Sequence, residues 1–261
     1  MRKTYRSKNV KAYWENRWKD VPIDMPMENK NAYPLKYSEL IIESKKGRIL
    51  EAGCGAGRIL RFYHESGHDI IGIDFINEAV ENLKQFDESL NVLEGDITNL
   101  NFDDNYFKYI LAFGLYHNLE NGLDEAVRET HRVLEKEGLL CASFRADNIQ
   151  TRITDWIEDK KNLGHSSEKK EFHKLNLTSN EFKKLFTSNG FSIEGLYPVE
   201  NMPFFYKFRF FRSKSHKNFN ELNARKEGYQ LSIIGSFLQR ILIFLLPYSF
   251  CNVYVLIARK I

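Results

Sequence analysis

Cysteine is scarce and scattered. Cys54, Cys141 and Cys251 are the only three in 261 residues, with no CxxC pair and no cysteine–histidine cluster. That pattern excludes a disulfide framework and gives no zinc-ligand spacing, so no metal site and a reducing compartment are expected. An excess of either charge is missing too. The balance of 38 basic against 35 acidic residues, a net +3, argues against a whole-surface footprint for nucleic acid and leaves only a local patch open. Long apolar runs are absent as well. The basic start, Met1-Arg2-Lys3-Thr4-Tyr5-Arg6-Ser7-Lys8, leads into no apolar segment, so a secretory signal is not expected. Leu231–Leu246 is interrupted by Gln239 and Arg240 and stopped by Pro247, too short for a confident membrane span. The length suits one domain with insertions, or one domain and a small appendage, without room for a second catalytic domain.

Against these absences one stretch stands out. Arg48–Ala52 has the short apolar look of a buried strand, Gly53, Gly55 and Gly57 follow at every second place, and Ile59-Leu60-Arg61-Phe62-Tyr63 resumes at helical spacing. Strand, glycine turn and helix together make a cradle, because a backbone without Cβ turns tightly and the next helix offers free N–H groups. An ordinary strand-to-helix loop has the same outline. Asp69–Asp74 then reads as a second buried strand ending in a carboxylate 21 residues beyond Gly53. That is about the offset (~20) at which nucleotide folds place an acid for ribose hydroxyls; a helix-terminal charge is the other reading. Asn77 is expected to cap the following helix.

Further strands are expected at Asn91–Glu94, followed by Gly95-Asp96-Ile97, at Phe107–Phe113, at Leu139–Phe144, at Phe191–Val199 and at Asn252–Arg259. Leu123, Ala126, Val127, Thr130, Val133 and Leu134 line one face of a helix, and Thr178-Ser179-Asn180-Glu181 has capping-box spacing. Alternation this regular implies an α/β sheet with parallel crossovers. In such sheets ligands bind outside the C-terminal strand ends, which sets Gly53–Gly57 opposite Gly114-Leu115-Tyr116-His117-Asn118. His117 is the candidate for substrate chemistry, with a locally bonded loop histidine as the other reading. Ahead of the cradle, residues 1–46 read as an N-terminal helical cap, with helices over 10–18 and 37–43. Residues 145–175 read as solvated helix faces.

The stretch between the last two strands, 200–251, is the chain's most individual feature. Lys207, Arg209, Arg212, Lys214 and Lys217 alternate with Phe204, Phe205, Tyr206, Phe208, Phe210 and Phe211, and no acid occurs from Asn201 to Asn220. An interfacial helix, a pocket cover, a dimer contact and plain packing over the sheet edge all remain open.

Glu51-Ala52-Gly53-Cys54-Gly55-Ala56-Gly57 resembles the first motif, E-x-G-x-G-x-G, of the class I S-adenosylmethionine-dependent methyltransferases, and the likeness extends over about residues 45–200 and the last strand. Arg58 stands where the dinucleotide fingerprint has its last glycine, which counts against a nicotinamide-dependent oxidoreductase. The resemblance implies a Rossmann-like seven-stranded sheet of order 3-2-1-4-5-7-6, strand 7 antiparallel, over 47–261. It also implies S-adenosyl-L-methionine as cofactor. The residues it assigns to that cofactor are Glu51, Ala52, Gly53, Cys54, Gly55, Gly57, Asp74, Phe75, Asp96, Ile97, Phe113 and Gly114. The Asn/Asp-Pro-Pro-Tyr type of sequence of nucleic-acid amino methylators is absent after strand 4, so a small-molecule acceptor is expected, whether lipid-linked, isoprenoid or sugar-like. His117 would serve as base for a hydroxyl acceptor. The expected location is the cytoplasm, with peripheral contact at the inner face of a membrane through 201–247 left open. A non-catalytic binding module acting through 200–251 is the alternative.

Overall fold

A computed structural model describes residues 1–6, 27, 29–162, 170–218 and 228–261. In chain order its elements are β1 (Arg2–Arg6), α1 (Leu35–Ser38), β2 (Ile49–Ala52), α2 (Arg58–Glu65), β3 (Ile70–Asp74), α3 (Asn77–Phe86), β4 (Val92–Glu94), β5 (Phe107–Ala112) and a 3-10 turn (Tyr116–Asn118). There follow α4 (Leu123–Val133), β6 (Leu134–Arg145), α5 (Ile149–Asn162), β7 (Glu171–Asn176), α6 (Ser179–Thr187) and β8 (Phe191–Val199). Three 3-10 turns (Phe204–Lys207, Arg209–Phe211, Lys214–His216), α7 (Ile233–Leu245) and β9 (Val253–Lys260) complete the described elements. They divide into two compact units, one of Met1–Arg145, Lys169–Tyr197 and Val255–Ile261, the other of Ala146–Glu168 and Pro198–Tyr254.

The first unit is built on a seven-stranded sheet of order β4-β3-β2-β5-β6-β9-β8, the order that the resemblance implies. β2 pairs in parallel with β3 and β5, β3 with β4, and β5 with β6. β2 and β3 are buried along their whole length, which is why, apart from Glu51 and Asp74, they read as apolar runs and not as alternation. β9 runs the other way: Asn252 N donates to Val199 O beyond one end, and Ile261 N donates to Gly190 O beyond the other. α4 buries Leu123, Ala126, Val127, Thr130 and Val133, the stripe expected of it. Arg132, on the same helix, donates to Leu100 O at 2.8 Å and Phe102 O at 2.7 Å while paired with Glu129 and Asp104. It thereby ties down the segment that follows Asp96. α6 carries the anticipated capping box between Thr178 and Glu181.

Several local expectations are corrected. Residues 1–46 are not simply a helical cap: Arg2–Arg6 is a strand, antiparallel to β7, with Tyr5 edge-on to Phe172. The alternating burial of its five residues is the period-2 signature of a strand. The helix expected over 10–18 lies outside the described residues, and the one expected over 37–43 is the single turn Leu35–Ser38. Asn77 is the first helical residue, not the cap. Ile76 holds the cap position without a side-chain bond, and its N–H goes instead to Asp74 Oδ1 at 3.0 Å. Within 145–175, Glu171 begins a strand, and β6 starts at Leu134, five residues ahead of the expected strand.

The second unit has its own aromatic core. Phe204 meets Phe205, Phe208 and Phe250 edge-on, and Phe205 meets Phe211. Tyr206 is buried with its hydroxyl 3.0 Å from His216 Nδ1 and its carbonyl accepting from Arg212 Nε. Asn148 Nδ2 donates to Tyr248 O and Cys251 O, closing the unit's two chain segments on each other. Much of the aromatic content of 200–251 is thus structural filling.

Candidate active site

The glycine loop leaves the end of β2 in a conformation that side chains resist. Gly53, Gly55 and Gly57 all have positive φ, at 73°, 52° and 67°. Gly53 N and Cys54 N both donate to Ile73 O, holding the loop against β3. A Cβ on Gly53 would stand 3.1 Å from Leu115 Cδ1, and one on Gly57 would stand 2.6 Å from Leu83 Cδ2. The first distance shows that the loop does meet the segment after β5, as the strand-end argument requires. The second shows how tightly α2 enters against α3.

Two acids support this loop. Asp74 Oδ2 accepts from Gly55 N at 2.8 Å, so the carboxylate at the end of β3 fixes the middle of the turn. Burial pushes its pKa up, while the N–H groups of Ile76, Gly55 and Phe75 pull the other way. Glu51 is buried with Oε2 accepting from Leu60 N at 2.6 Å, which joins β2 to the first turn of α2. Burial pushes its carboxyl up to about 8, and the Leu60 N–H only partly offsets this. No ion pair to either acid occurs among the described residues. Two buried carboxyl groups behind one glycine loop place oxygen acceptors suited to a ligand with hydroxyl or N–H donors.

The other expected residues fall around the same strand ends. Ala52 is the buried last residue of β2, and Cys54 is buried with its thiol pushed well up by that burial. Phe75, next to Asp74, is exposed. Asp96 is exposed, its Oδ1 accepting from Thr98 N and Oγ1, while Ile97 is buried. Phe113 lies edge-on to Tyr33 at 5.9 Å, and Gly114, at φ 75°, donates its N–H to Ser143 Oγ at 2.9 Å.

His117 sits in the 3-10 turn after β5, its ring 6.1 Å from that of Phe144, with Nδ1 buried and without a hydrogen-bond partner. Burial first, then the positive charges of Lys174 and Arg145, hold its pKa well below the usual histidine value. The imidazole is therefore neutral at pH 7.

Tyr33 and Ser143 escaped the sequence reading. Ser143 Oγ accepts from both Tyr33 OH, at 3.0 Å, and Gly114 N, leaving the serine proton free to donate. Burial raises Tyr33 to about 12, so it remains a donor. The visible cue was one polar residue inside the apolar run Leu139–Phe144. His173 and Lys174, brought up by β7, had no cue at all.

Residues 50–142 match the family model described as a methyltransferase domain. Over 103 residues the chain is 39% identical to the demethylmenaquinone methyltransferase of Staphylococcus epidermidis, a match covering 37% of this chain and 42% of that one. Over 111 residues it is 27% identical to the malonyl-[acyl-carrier protein] O-methyltransferase of Pectobacterium atrosepticum, covering 41% and 42%. The chain thus spans less than half the length of these relatives. The crystal structure of an S-adenosylmethionine-dependent methyltransferase from Methanosarcina mazei superposes with a TM-score of 0.58 at 17% identity, over 88% of this chain and 98% of that one, a likeness of fold.

Proposed function

We propose, for a chain whose residues 50–142 match the model of a methyltransferase domain, that it moves a methyl group from S-adenosylmethionine to a small-molecule acceptor. The observation that carries this is the loop of three positive-φ glycines whose centre is held by Asp74. The left-handed turn that these glycines permit closes β2 onto α2 beside Leu115 and Leu83, and the Asp74 carboxyl at its centre offers oxygen acceptors for a ligand's hydroxyls. Gly53–Gly57, Glu51 and Asp74 would hold the cofactor, with Phe75, Asp96, Ile97, Phe113 and Gly114 about it. When bound, S-adenosylmethionine supplies a methyl carbon on a leaving group that is already activated.

The protein's part is then alignment and proton management. Alignment alone is worth ~7–11 kcal/mol when reacting atoms are well placed. For a hydroxyl acceptor His117 takes the proton, since its imidazole is neutral at pH 7. Lys174 and Arg145, which disfavour the imidazolium, favour an acceptor that carries negative charge. A neutral histidine with a depressed pKa keeps its basic form as the solution is acidified. The acid limb of the rate is accordingly expected below pH 6.5, absent from the residual rate of His117→Gln, in methyl-incorporation assays from pH 5 to 8. A limb at or above 6.5 in the wild type removes His117 from this role.

Calorimetric titration with S-adenosylmethionine and S-adenosylhomocysteine tests the proposal as a whole. Wild type is expected to bind both saturably. Asp74→Ala is expected to weaken binding roughly 10–100-fold, the scale of losing charge-assisted hydrogen bonds. No binding by folded wild type would overturn the reading.

A further inference from the structure

Helix α7 is turned inside out. Its buried residues are Gly235 and Gln239. A Cβ on Gly235 would stand 2.6 Å from Phe211 O, and Gln239 accepts the N–H of Phe205 at 3.2 Å and donates to Glu200. The opposite side presents Ile233, Ile234, Phe237, Ile241, Phe244 and Leu245 at helical spacing, with Ile233 90%, Phe237 63% and Phe244 85% exposed. Surface helices normally bury their apolar stripe and show their amides to water. The reverse arrangement marks a surface that meets something apolar.

Charge says what that is. Residues 201–254 contain eight lysines and arginines against two acids, Glu221 and Glu227. Arg209, Lys214, Lys217 and Arg240 are exposed and make no ion pair among the described residues. Arg240 stands within the apolar row itself, between Phe237 and Ile241. A second copy docked about a two-fold axis would bring like charges together. An anionic bilayer satisfies both features, because acyl chains take the rings while headgroup phosphates take the cations. Thirteen residues make a helix of about 20 Å, well short of the ~30 Å hydrocarbon core. Among the described residues no helix is long and apolar enough to cross a membrane.

We propose that α7 lies in the plane of an anionic lipid surface, its Ile233–Phe237–Ile241–Phe244 row in the acyl boundary and Arg240 extended to the headgroups. This stands apart from methyl transfer and is tested without cofactor.

The test is flotation of the full chain with vesicles of phosphatidylcholine, alone or with about one-third phosphatidylglycerol. Wild type is expected to float with the anionic vesicles and to be released as salt shortens the screening length. Phe237→Ser/Phe244→Ser is expected to lose binding at least tenfold with Tm unchanged, since both side chains are exposed. Lys214→Glu/Lys217→Glu is expected to lose the preference for anionic vesicles. Absence of wild-type flotation, or equal flotation of the double serine variant, overturns the proposal. So does a lipid-independent dimer, seen by sedimentation and abolished by the serines, which would assign the face to a second copy.

Discussion

Gly57→Ala is expected to lower the unfolding free energy by about 2–5 kcal/mol. Gly57 caps α2 in the left-handed region, which costs an L-residue roughly 1–2 kcal/mol. Its new Cβ would also stand 2.6 Å from Leu83 Cδ2, and Leu83 is wholly buried with little room to give; overpacking of this kind typically costs about 1–3 kcal/mol. The two contributions separate in a double-mutant cycle. Leu83→Ala alone costs about 2–5 kcal/mol through its cavity. Gly57→Ala/Leu83→Ala is expected to fall short of the sum by about 1–3 kcal/mol, because the shortened side chain admits the methyl. Urea unfolding of the four proteins measures this. Strict additivity would mean that backbone conformation, not contact with α3, makes glycine necessary.

Glu51→Gln is expected to make the protein more stable than wild type above pH 8 and nearly equal to it at pH 5. The folded carboxyl keeps its proton up to about 8, whereas the ordinary value is 4.5. Between those limits the folded state binds more protons than the unfolded chain, so raising the pH favours unfolding. At ~1.4 kcal/mol per pKa unit, the wild type forfeits at most about 3–5 kcal/mol across that window. Glutamine keeps an oxygen for the Leu60 N–H and carries no charge to bury. Asp74, whose pKa is also raised by burial, leaves a smaller slope of the same sign in the variant. Urea midpoints at pH 5 and pH 8.5 give the comparison, and parallel slopes for the two proteins would locate the titration elsewhere.

What was legible beforehand followed from local chemistry. The glycine spacing, the acid 21 residues beyond it and the Thr178–Glu181 box each state a backbone requirement within a few residues of the atoms that meet it. Tyr33, Ser143 and Gly114 converge from three places far apart in the chain, and nothing near any of them announces the others. The same holds for β1 and β7. α7 was recognisable as apolar, but hydrophobicity alone does not say which face turns inward. Only the hydrogen bonds of Gln239 decide that, and they depend on turns about thirty residues earlier. His117 was expected at this strand end, but the depression of its pKa by burial and by Lys174 and Arg145 had no local cue, because those charges approach it through tertiary structure.

The antiparallel pair of β1 and β7 also sets a schedule. Arg6 lies opposite Glu171, so during synthesis β1 has no partner until some 165 further residues have been made. At elongation rates of about 5–20 residues per second, that is a wait of roughly 10–30 s. During that interval the five residues of β1 are an unpaired edge, kept from other chains by Arg2, Lys3 and Arg6, whose charges repel another copy of the same strand.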